Sequence, residues 1–169
     1  DQYVKVEENG QNLEAWELLN KGVSLDNLGS HREAIQSYDE ALRLCPQDSK
    51  VYNNRGTAYR VLGQHERALQ DYDKAIELNP WYPHAYNNRG LVYRALGQHE
   101  RAVQDFDMSI RLNPKDPDAH NNRGLVYGAL GQHERAIQDF TEAIRLDPTN
   151  PKASYNRGLT YQMLGKTEE

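Results

Sequence analysis

Five asparagines recur at one fixed interval of the sequence and could bind another polypeptide. They stand 34 residues apart, at Asn20, Asn54, Asn88, Asn122 and Asn156. An asparagine side chain offers a donor and an acceptor, which match the two polar groups of one peptide unit. In the middle of a helix asparagine is unfavourable, so its repetition needs a reason. Either these amides face a ligand, or they satisfy local backbone and neighbouring helices of a duplicated scaffold.

A column of arginines follows the asparagines by one residue and has a structural interpretation. Three of these arginines are each followed, sixteen residues later, by an aspartate. The earliest copy lacks both partners, since Lys21 and Ser37 stand there instead. This internal pairing predicts ion pairs between two helices. The predicted pairs are Arg55 with Asp71, Arg89 with Asp105, and Arg123 with Asp139.

Four histidines also recur at this interval and raise the question of a metal site. They are His31, His65, His99 and His133. Helical layers pack about 8–10 Å apart, whereas zinc ligands lie about 2.0–2.1 Å from a shared ion. The spacing therefore favours histidines packed between helices, and we expect no cofactor. The sequence also lacks a phosphate-binding loop, a nucleophile elbow and a paired-cysteine motif, so we predict no enzyme activity.

Glycines and prolines keep the same interval and predict a tandem array of one helical unit. A fixed period of this length is typical of stacked supersecondary units that do not share a single closed core. The phased residues are Gly22, Gly56, Gly90, Gly124, Gly158, then Gly29, Gly63, Gly97, Gly131, Gly165, and then Pro46, Pro80, Pro114 and Pro148.

One unit, residues 49–82, shows how the helices are predicted. Aromatic residues and a glycine at helical spacing predict a first helix of about 14 residues. Gly63 ends this helix, because glycine enters the left-handed region without steric cost. A second helix follows and stops before Pro80, which disfavours helical backbone at the residue preceding it. Gly56, which has no side chain, would let the two helices approach closely.

The pattern of this unit resembles the tetratricopeptide repeat (TPR). The resemblance covers residues 15–169 and implies an all-α, right-handed solenoid of helix-turn-helix repeats. Residues 1–14 lack the pattern, and we expect a lead-in strand, loop or short helix there. The implied repeats are 15–48, 49–82, 83–116, 117–150 and a partial repeat 151–169. The residues that carry the resemblance are Tyr52, Gly56, Tyr59, Gly63, Ala68, Tyr72, Ala75 and Pro80, with their equivalents 34 and 68 residues later.

Membership of this family would place the first helix of each repeat on a concave surface. In one family member a similar asparagine ladder holds an extended peptide by its backbone. Helix layers lie about 8–10 Å apart and an extended chain advances roughly 3.3 Å per residue. One asparagine, at position six of each repeat, would therefore meet about every third peptide unit. Further residues expected on this surface are Asn53, Asn87, Asn121, Lys50, Arg60, Arg94, Leu91 and Leu125.

Residues that vary along this surface would select the partner. Arg60 and Arg94, one repeat apart, predict a cationic strip suited to an acidic segment, although ordinary solvated charge explains them as well. Trp81 and Tyr82 stand where other repeats have polar turn residues. They are either a contact anchor or aromatics packed on the adjacent helix. The Lys–Asn pair that begins the chaperone-binding clamp of some relatives is absent.

The composition excludes several classes of partner. The net charge of −5 and the isoelectric point of about 5.7 disfavour nucleic acid as a ligand. No apolar run approaches the roughly 18 residues of a membrane span, and no signal-peptide pattern opens the chain. Cys45 is the single cysteine, so an intrachain disulfide cannot form. We expect a cytoplasmic protein.

These features together predict a protein–protein interaction scaffold that holds an extended peptide. Two alternatives stay open: a substrate-recruiting arm of a larger enzyme, and a structural scaffold that assembles with copies of itself. The self-assembling scaffold depends on Tyr161 and Leu164, which would form an apolar edge without a capping helix. We also expect the natural protein to continue beyond Glu169.

Overall fold

The protein is built from helices throughout the part of the chain that the structure describes. This computed structural model describes the backbone of residues 2–165, and the side chains of residue 10 and of residues 12–165. The predicted all-α class is confirmed. The helices are α1 Gln2–Asn27, α2 His31–Leu44, α3 Ser49–Val61, α4 His65–Leu78, α5 Pro83–Ala95, α6 His99–Leu112, α7 Pro117–Ala129, α8 His133–Leu146 and α9 Pro151–Met163.

Short polar residues and glycines set the ends of these helices. The Asp48 carboxylate accepts a bond of 2.8 Å from the backbone N–H of Lys50 and caps α3. Gly63 follows α3 with φ of 72°, in the left-handed region that glycine favours, so the predicted stop is confirmed. Pro117 and Pro151 each open a helix in its first turn, where a missing N–H costs nothing.

The first helix is longer than the others. It has 26 residues and runs without interruption from Gln2 to Asn27. The expected lead-in and the first helix of the first repeat are therefore one continuous helix over the described backbone. Repeat periodicity gives no information about residues 1–14, because the pattern is absent from them.

The chain divides into two compact units, Asp1–Asn88 and Arg89–Glu169, and the boundary falls within α5. In the first unit, α1 packs against α2, and α3 packs against both α2 and α4. Tyr38, Ala41 and Val51 are central to its core. The first helices of the repeats (α1, α3, α5, α7 and α9) therefore alternate with second helices along the chain.

The second unit repeats this arrangement with α7 packed on α6 and α8, and with α9 packed on α8. Its core includes Phe140, which lies against the backbone of α7. A β-carbon added to Gly124 would stand 2.7 Å from the Phe140 ring, and one added to Gly56 would stand 2.9 Å from the Tyr72 ring. The close approach predicted at Gly56 is confirmed, and Gly124 shows the same approach. None of the helices within residues 2–165 is long and apolar enough to cross a bilayer.

Candidate functional site

The asparagines at position six bond to asparagines at position five of the preceding repeat. In the first unit, Nδ2 of Asn88 donates to Oδ1 of Asn53 over 3.0 Å. Nδ2 of Asn53 in turn donates to Oδ1 of Asn54 over 3.2 Å. In the second unit, Nδ2 of Asn156 donates to Oδ1 of Asn121 over 2.9 Å. Part of the asparagine column is therefore engaged by its own scaffold.

The two asparagine positions differ in exposure. Asn53 and Asn121, at position five, are buried, with 4% and 8% of their surface exposed. Asn54, Asn88 and Asn156, at position six, are half-buried. A carboxamide has two N–H donors and two acceptor lone pairs, and the pairs made by Asn88 and Asn156 each use one donor of the position-six group. The buried amides therefore orient the half-buried ones without exhausting their hydrogen-bonding capacity.

The remaining asparagines of the prediction have different surroundings. The Nδ2 of Asn54 has no partner within the described residues. Asn20 is exposed, and its repeat has Leu19 instead of an asparagine at position five. Asn87 and Asn122 are both half-buried. In each unit, the face formed by positions two, five, six, nine, twelve and thirteen of its first helices is called the first-helix face below.

The arginine column is held by carboxylates. The guanidinium of Arg55 donates to both oxygens of Asp71 over 2.8 and 2.7 Å, and to Asp39 over 2.6 Å. The three predicted ion pairs are confirmed, and Asp105 and Asp139 accept two bonds each from their arginines over 2.6–2.8 Å. Bidentate bonds between charged groups are roughly twice as strong as neutral hydrogen bonds, so they tie the first helix of each of these repeats firmly to its second helix.

The second carboxylate on these arginines was not predicted from the sequence. Asp39 precedes Arg55 by sixteen residues, and Asp107 stands at the same distance before Arg123, to which it bonds over 2.6 Å. Each of these arginines therefore joins two successive repeats within its unit. The signal was present, because Asp39, Asp73 and Asp107 also recur at 34-residue spacing.

The pKa values of two equivalent buried aspartates, Asp71 and Asp139, are shifted in opposite directions. Burial raises the pKa of Asp71 above its usual range, and the hydrogen bonds from Arg55 only partly oppose it. Burial acts on Asp139 as well, but the hydrogen bonds from Arg123 and the nearby His120 outweigh it, so the pKa of Asp139 is lowered. Nδ1 of His120 lies 3.7 Å from Oδ1 of Asp139.

Comparison with protein families accounts for this repeated arrangement. Three family models match, and together they cover residues 27–169. One tetratricopeptide repeat model matches residues 49–82 and 117–150, a TPR repeat model matches 27–60 and 90–131, and a further tetratricopeptide repeat model matches 71–104 and 140–169. The chain belongs to the tetratricopeptide repeat family. A sequence search of curated proteins gives no match.

Solved TPR structures share this fold. MamA residues 41 to the end, from Desulfovibrio magneticus RS-1, is 26% identical with a TM-score of 0.78 and covers 90% of this chain and 86% of its own. The first TPR domain of Spaghetti (RPAP3), bound to the HSP90 peptide SRMEEVD, is 27% identical with a TM-score of 0.69 and covers 71% and 95%. YrrB, described as a TPR protein with an unusual peptide-binding site, is 25% identical with a TM-score of 0.71 and covers 98% and 84%.

The predicted basic residues of the TPR first helices have different surroundings. Lys50 is exposed. Arg60 is half-buried, and its Nε is buried without a hydrogen-bond partner in the described residues. Burial raises the pKa of Tyr72, and Thr57 and the nearby Arg60 act against that rise. Arg94 is also half-buried and belongs to the second unit, whereas Arg60 belongs to the first, so the cationic strip stays a prediction.

The residue at position nine varies together with the aromatic residue of the second helix that follows it. The hydroxyls of Thr57 and Tyr72 lie 3.1 Å apart, which provides a partner for a buried phenol. Phenylalanine replaces that tyrosine in the two repeats that have Leu91 and Leu125 at position nine. Leu125 packs against the core of the second unit, and both leucines are half-buried. They therefore present only part of their surface to a ligand.

The two aromatics of the turn before α5 behave differently. Trp81 is 78% exposed, and its backbone N–H donates to Oδ1 of Asn79 over 3.1 Å. Tyr82 is half-buried and meets the ring of His84 edge to face, with centroids 5.7 Å apart. Packing on the adjacent helix accounts for Tyr82, and Trp81 stays a candidate contact anchor. The structure shows no cluster of three or more metal-ligating side chains among its described residues.

Proposed function

We propose that this TPR chain is a protein-interaction scaffold whose first-helix face binds an extended peptide by its backbone. TPR proteins of this kind generally act as scaffolds without catalytic activity. The observation that carries the proposal is the incomplete use of the position-six amides. Asn54, Asn88 and Asn156 are each bonded to a buried amide, and each keeps hydrogen-bonding groups for another molecule.

Hydrogen-bond counting supports a peptide as the ligand. Asn156 uses one N–H on Asn121 and retains a second N–H and its carbonyl oxygen. One donor and one acceptor are what a peptide group in an extended chain presents. A neutral hydrogen bond contributes only about 0.5–1.5 kcal/mol net. Several repeats must therefore act together to bind a peptide at useful affinity.

The spacing of the repeats supports an extended ligand. Adjacent first helices are separated by one second helix in sequence, and packed helices lie about 8–10 Å apart. An extended chain covers that distance in about three residues at roughly 3.3 Å each. Each repeat would hold one peptide group of every three, which leaves the intervening side chains free for selection.

Known TPR structures support the class of ligand. The RPAP3 domain was solved with a bound HSP90 peptide, and YrrB is described as having a peptide-binding site. The chaperone peptide itself is not expected to be the ligand here. Asn53 and Thr57 stand where chaperone-binding relatives begin their carboxylate clamp with Lys and Asn.

The side chains of the first-helix face differ between the two units, and this difference would govern selectivity. The first unit offers the exposed Lys50 and the half-buried Arg60, which favour an acidic residue. The second unit offers an apolar row on α9, in which Tyr155, Leu159 and Met163 are 67%, 37% and 71% exposed. We infer that this row contacts apolar side chains of the bound segment.

The test begins with selection of binding sequences from a library of random eight-residue peptides. Affinities of the selected peptides are then measured by fluorescence anisotropy. Replacing Asn54, Asn88 and Asn122 together by alanine should weaken binding about a hundredfold, because about three hydrogen bonds are lost at about 1 kcal/mol each. A matched control replaces the exposed amides Gln36, Gln70 and Gln104 of the second helices by alanine. This control should bind as the unaltered chain does.

The proposal fails if the asparagine variant keeps its helical circular dichroism and binds the selected peptides unchanged. It also fails if the glutamine variant loses affinity to the same extent, since the effect would then not be specific to the first-helix face. The peptide SRMEEVD serves as a second probe, and we expect it to bind more weakly than the selected peptides.

A further inference from the structure

An open pocket lies on the second unit, away from the asparagines. It has a volume of about 420 Å³ and is formed by α6, α7 and α8. Two of its sides are second helices, so it is distinct from the first-helix face. Its charged and aromatic lining residues are Asp107, Arg111, Arg123, Tyr127, Arg135 and Asp139.

The lining of the pocket carries an excess of positive charge. Arg123 is neutralised by Asp107 and Asp139, both of which accept bonds of 2.6 Å from its guanidinium. Arg111 and Arg135 have no carboxylate partner among the described residues. Three arginines against two aspartates leave one net positive charge in the lining.

Arg111 differs from its equivalents in the neighbouring repeats. In repeats two and four, the charged residue at this position forms an ion pair with the residue three positions before it. In repeat three the earlier residue is Met108, so that local partner is missing. The two ion pairs are Lys74 with Glu77 at 2.8 Å and Glu142 with Arg145 at 2.6 Å.

Arg135 and Tyr127 supply further donors. The guanidinium carbon of Arg135 lies 4.5 Å from the centre of the Tyr127 ring, and Nη1 donates to Gln132 over 2.8 Å. In the preceding repeat, Arg101 donates to the hydroxyl of Tyr93 over 2.7 Å. The Tyr127 hydroxyl has no hydrogen-bond partner in the described chain, so its O–H is available to an acceptor.

We propose that this pocket binds the side-chain carboxylate of a glutamate or aspartate of a partner protein. Arginine and phenol groups are donors suited to a carboxylate, and arginine can bind both of its oxygens. One carboxylate cancels the single excess charge of the lining. A phosphate group with about two negative charges would exceed it, beside Asp107 and Asp139. The charge balance therefore selects an acidic side chain.

The first unit provides an internal parallel. Each charged residue of the lining has the same residue type 68 positions earlier, including Arg43 in place of Arg111. However, Glu40 replaces Met108 there, so a carboxylate is already present three residues before that arginine. The chain itself thus contains the chemical group that we expect a partner to bring to the second unit.

The test uses acetylated and amidated tetraglutamate as the probe and the tetraglutamine peptide as its control. Binding is followed by nitrogen-15 NMR of the arginine Nε–H groups at low ionic strength, where surface charges are least screened. The Arg111 and Arg135 signals should shift and saturate with the glutamate peptide alone. Arg111→Gln should weaken binding about tenfold, a loss typical of a charged hydrogen bond.

Two matched pairs of variants distinguish binding in the pocket from general attraction between the peptide and positive surface charges. Met108→Glu restores the local partner of Arg111 and should weaken binding severalfold, whereas Met108→Gln should not. Arg145→Gln removes the same charge outside the pocket and should leave binding unchanged. The asparagine triple variant should also bind normally, because this pocket does not depend on the first-helix face.

Three results would overturn the proposal. The first is an equal response to the glutamine peptide, and the second is equal losses in Arg111→Gln and Arg145→Gln. The third is tighter binding of a phosphoserine peptide than of the glutamate peptide, which would assign the pocket to phosphate instead.

Discussion

The arginine column and the asparagine column occupy adjacent positions on the same first helices, yet the structure uses them in different ways. Arg55 places three N–H groups on two carboxylates, one in its own repeat and one in the repeat before. Asn88 places one N–H on Asn53 and keeps a second. Both columns join successive repeats, but the charge of Arg55 is already balanced by carboxylates, whereas Asn88 is a neutral group that keeps an N–H for a further partner.

This difference shows how to interpret a polar residue that recurs in a tandem array. Recurrence alone does not separate structure from binding, because duplication copies both. What each side chain offers after the scaffold has formed does separate them, because carboxylates balance the charge of the arginine while the neutral amide keeps an unused N–H. The arginine column should therefore govern stability, and the asparagine column should govern ligand affinity with little effect on stability.

The largest expected effect is on the arginine side of this comparison. Arg123→Leu would leave Asp139 charged, 5% exposed and without its main partner. Breaking a buried ion pair in this way costs about 3–5 kcal/mol. We expect a loss of about 3 kcal/mol in the free energy of unfolding, measured by urea denaturation with circular dichroism, because Arg123 itself is partly exposed.

The double variant Arg123→Leu with Asp139→Leu is the control for that loss. Replacing both partners by apolar residues is often close to neutral. Most of the stability should therefore return. A single variant that loses less than about 1 kcal/mol would mean that the ion pair is dispensable, and the contrast between the two columns would no longer hold.

A smaller effect is expected on the asparagine side. Asn88→Ala removes one neutral hydrogen bond to Asn53, a loss of about 1 kcal/mol. The better helix propensity of alanine offsets roughly half of that loss of stability. The same urea measurement should show a net change of no more than about 1 kcal/mol. A loss as large as that of Arg123→Leu would make the asparagine column structural as well.

Much of the fold was predictable because the repeat is regular. Gly63 marks the end of α3, and sixteen residues separate Arg55 from Asp71 on the facing helix, so the sequence period identified both features. Local rules of glycine backbone and charge pairing suffice for such contacts, since they recur unchanged in several copies.

Contacts between repeats were harder to predict. The bond from Arg55 to Asp39 and that from Asn88 to Asn53 depend on how far one hairpin is displaced along the next, which the period does not specify. Both contacts had a recurring signal, since Asn53, Asn87 and Asn121 also recur at 34-residue spacing, but recurrence did not show which groups would bond to each other. Leu125 was assigned to the surface because its contact with the core depends on Phe140 in another helix.

The smallest expected effect concerns the titration of the two equivalent aspartates. His120 stands at the position of Tyr86. The Tyr86 hydroxyl donates to the carbonyl of Pro80, and Nε2 of His120 lies at the same distance, 3.2 Å, from the carbonyl of Pro114. His120→Tyr should keep that bond but remove the imidazole near Asp139. We expect the pKa of Asp139 to rise, as followed by carbon-13 NMR of its carboxyl group during an acid titration.

The sign of the pH effect on stability follows from these shifts. The pKa of Asp139 is below that of an unfolded aspartate, near 3.9. Its ionised form therefore stabilises the fold above that pH, and the contribution is lost as the pH falls through the folded pKa. The pKa of Asp71 is raised, so its contribution has the opposite sign and is lost as the pH rises. Tyr52→His, the reciprocal change, should lower the pKa of Asp71. If neither variant shifts the pKa of its aspartate, burial and the arginines set both titrations, and His120 does not account for the difference between the units.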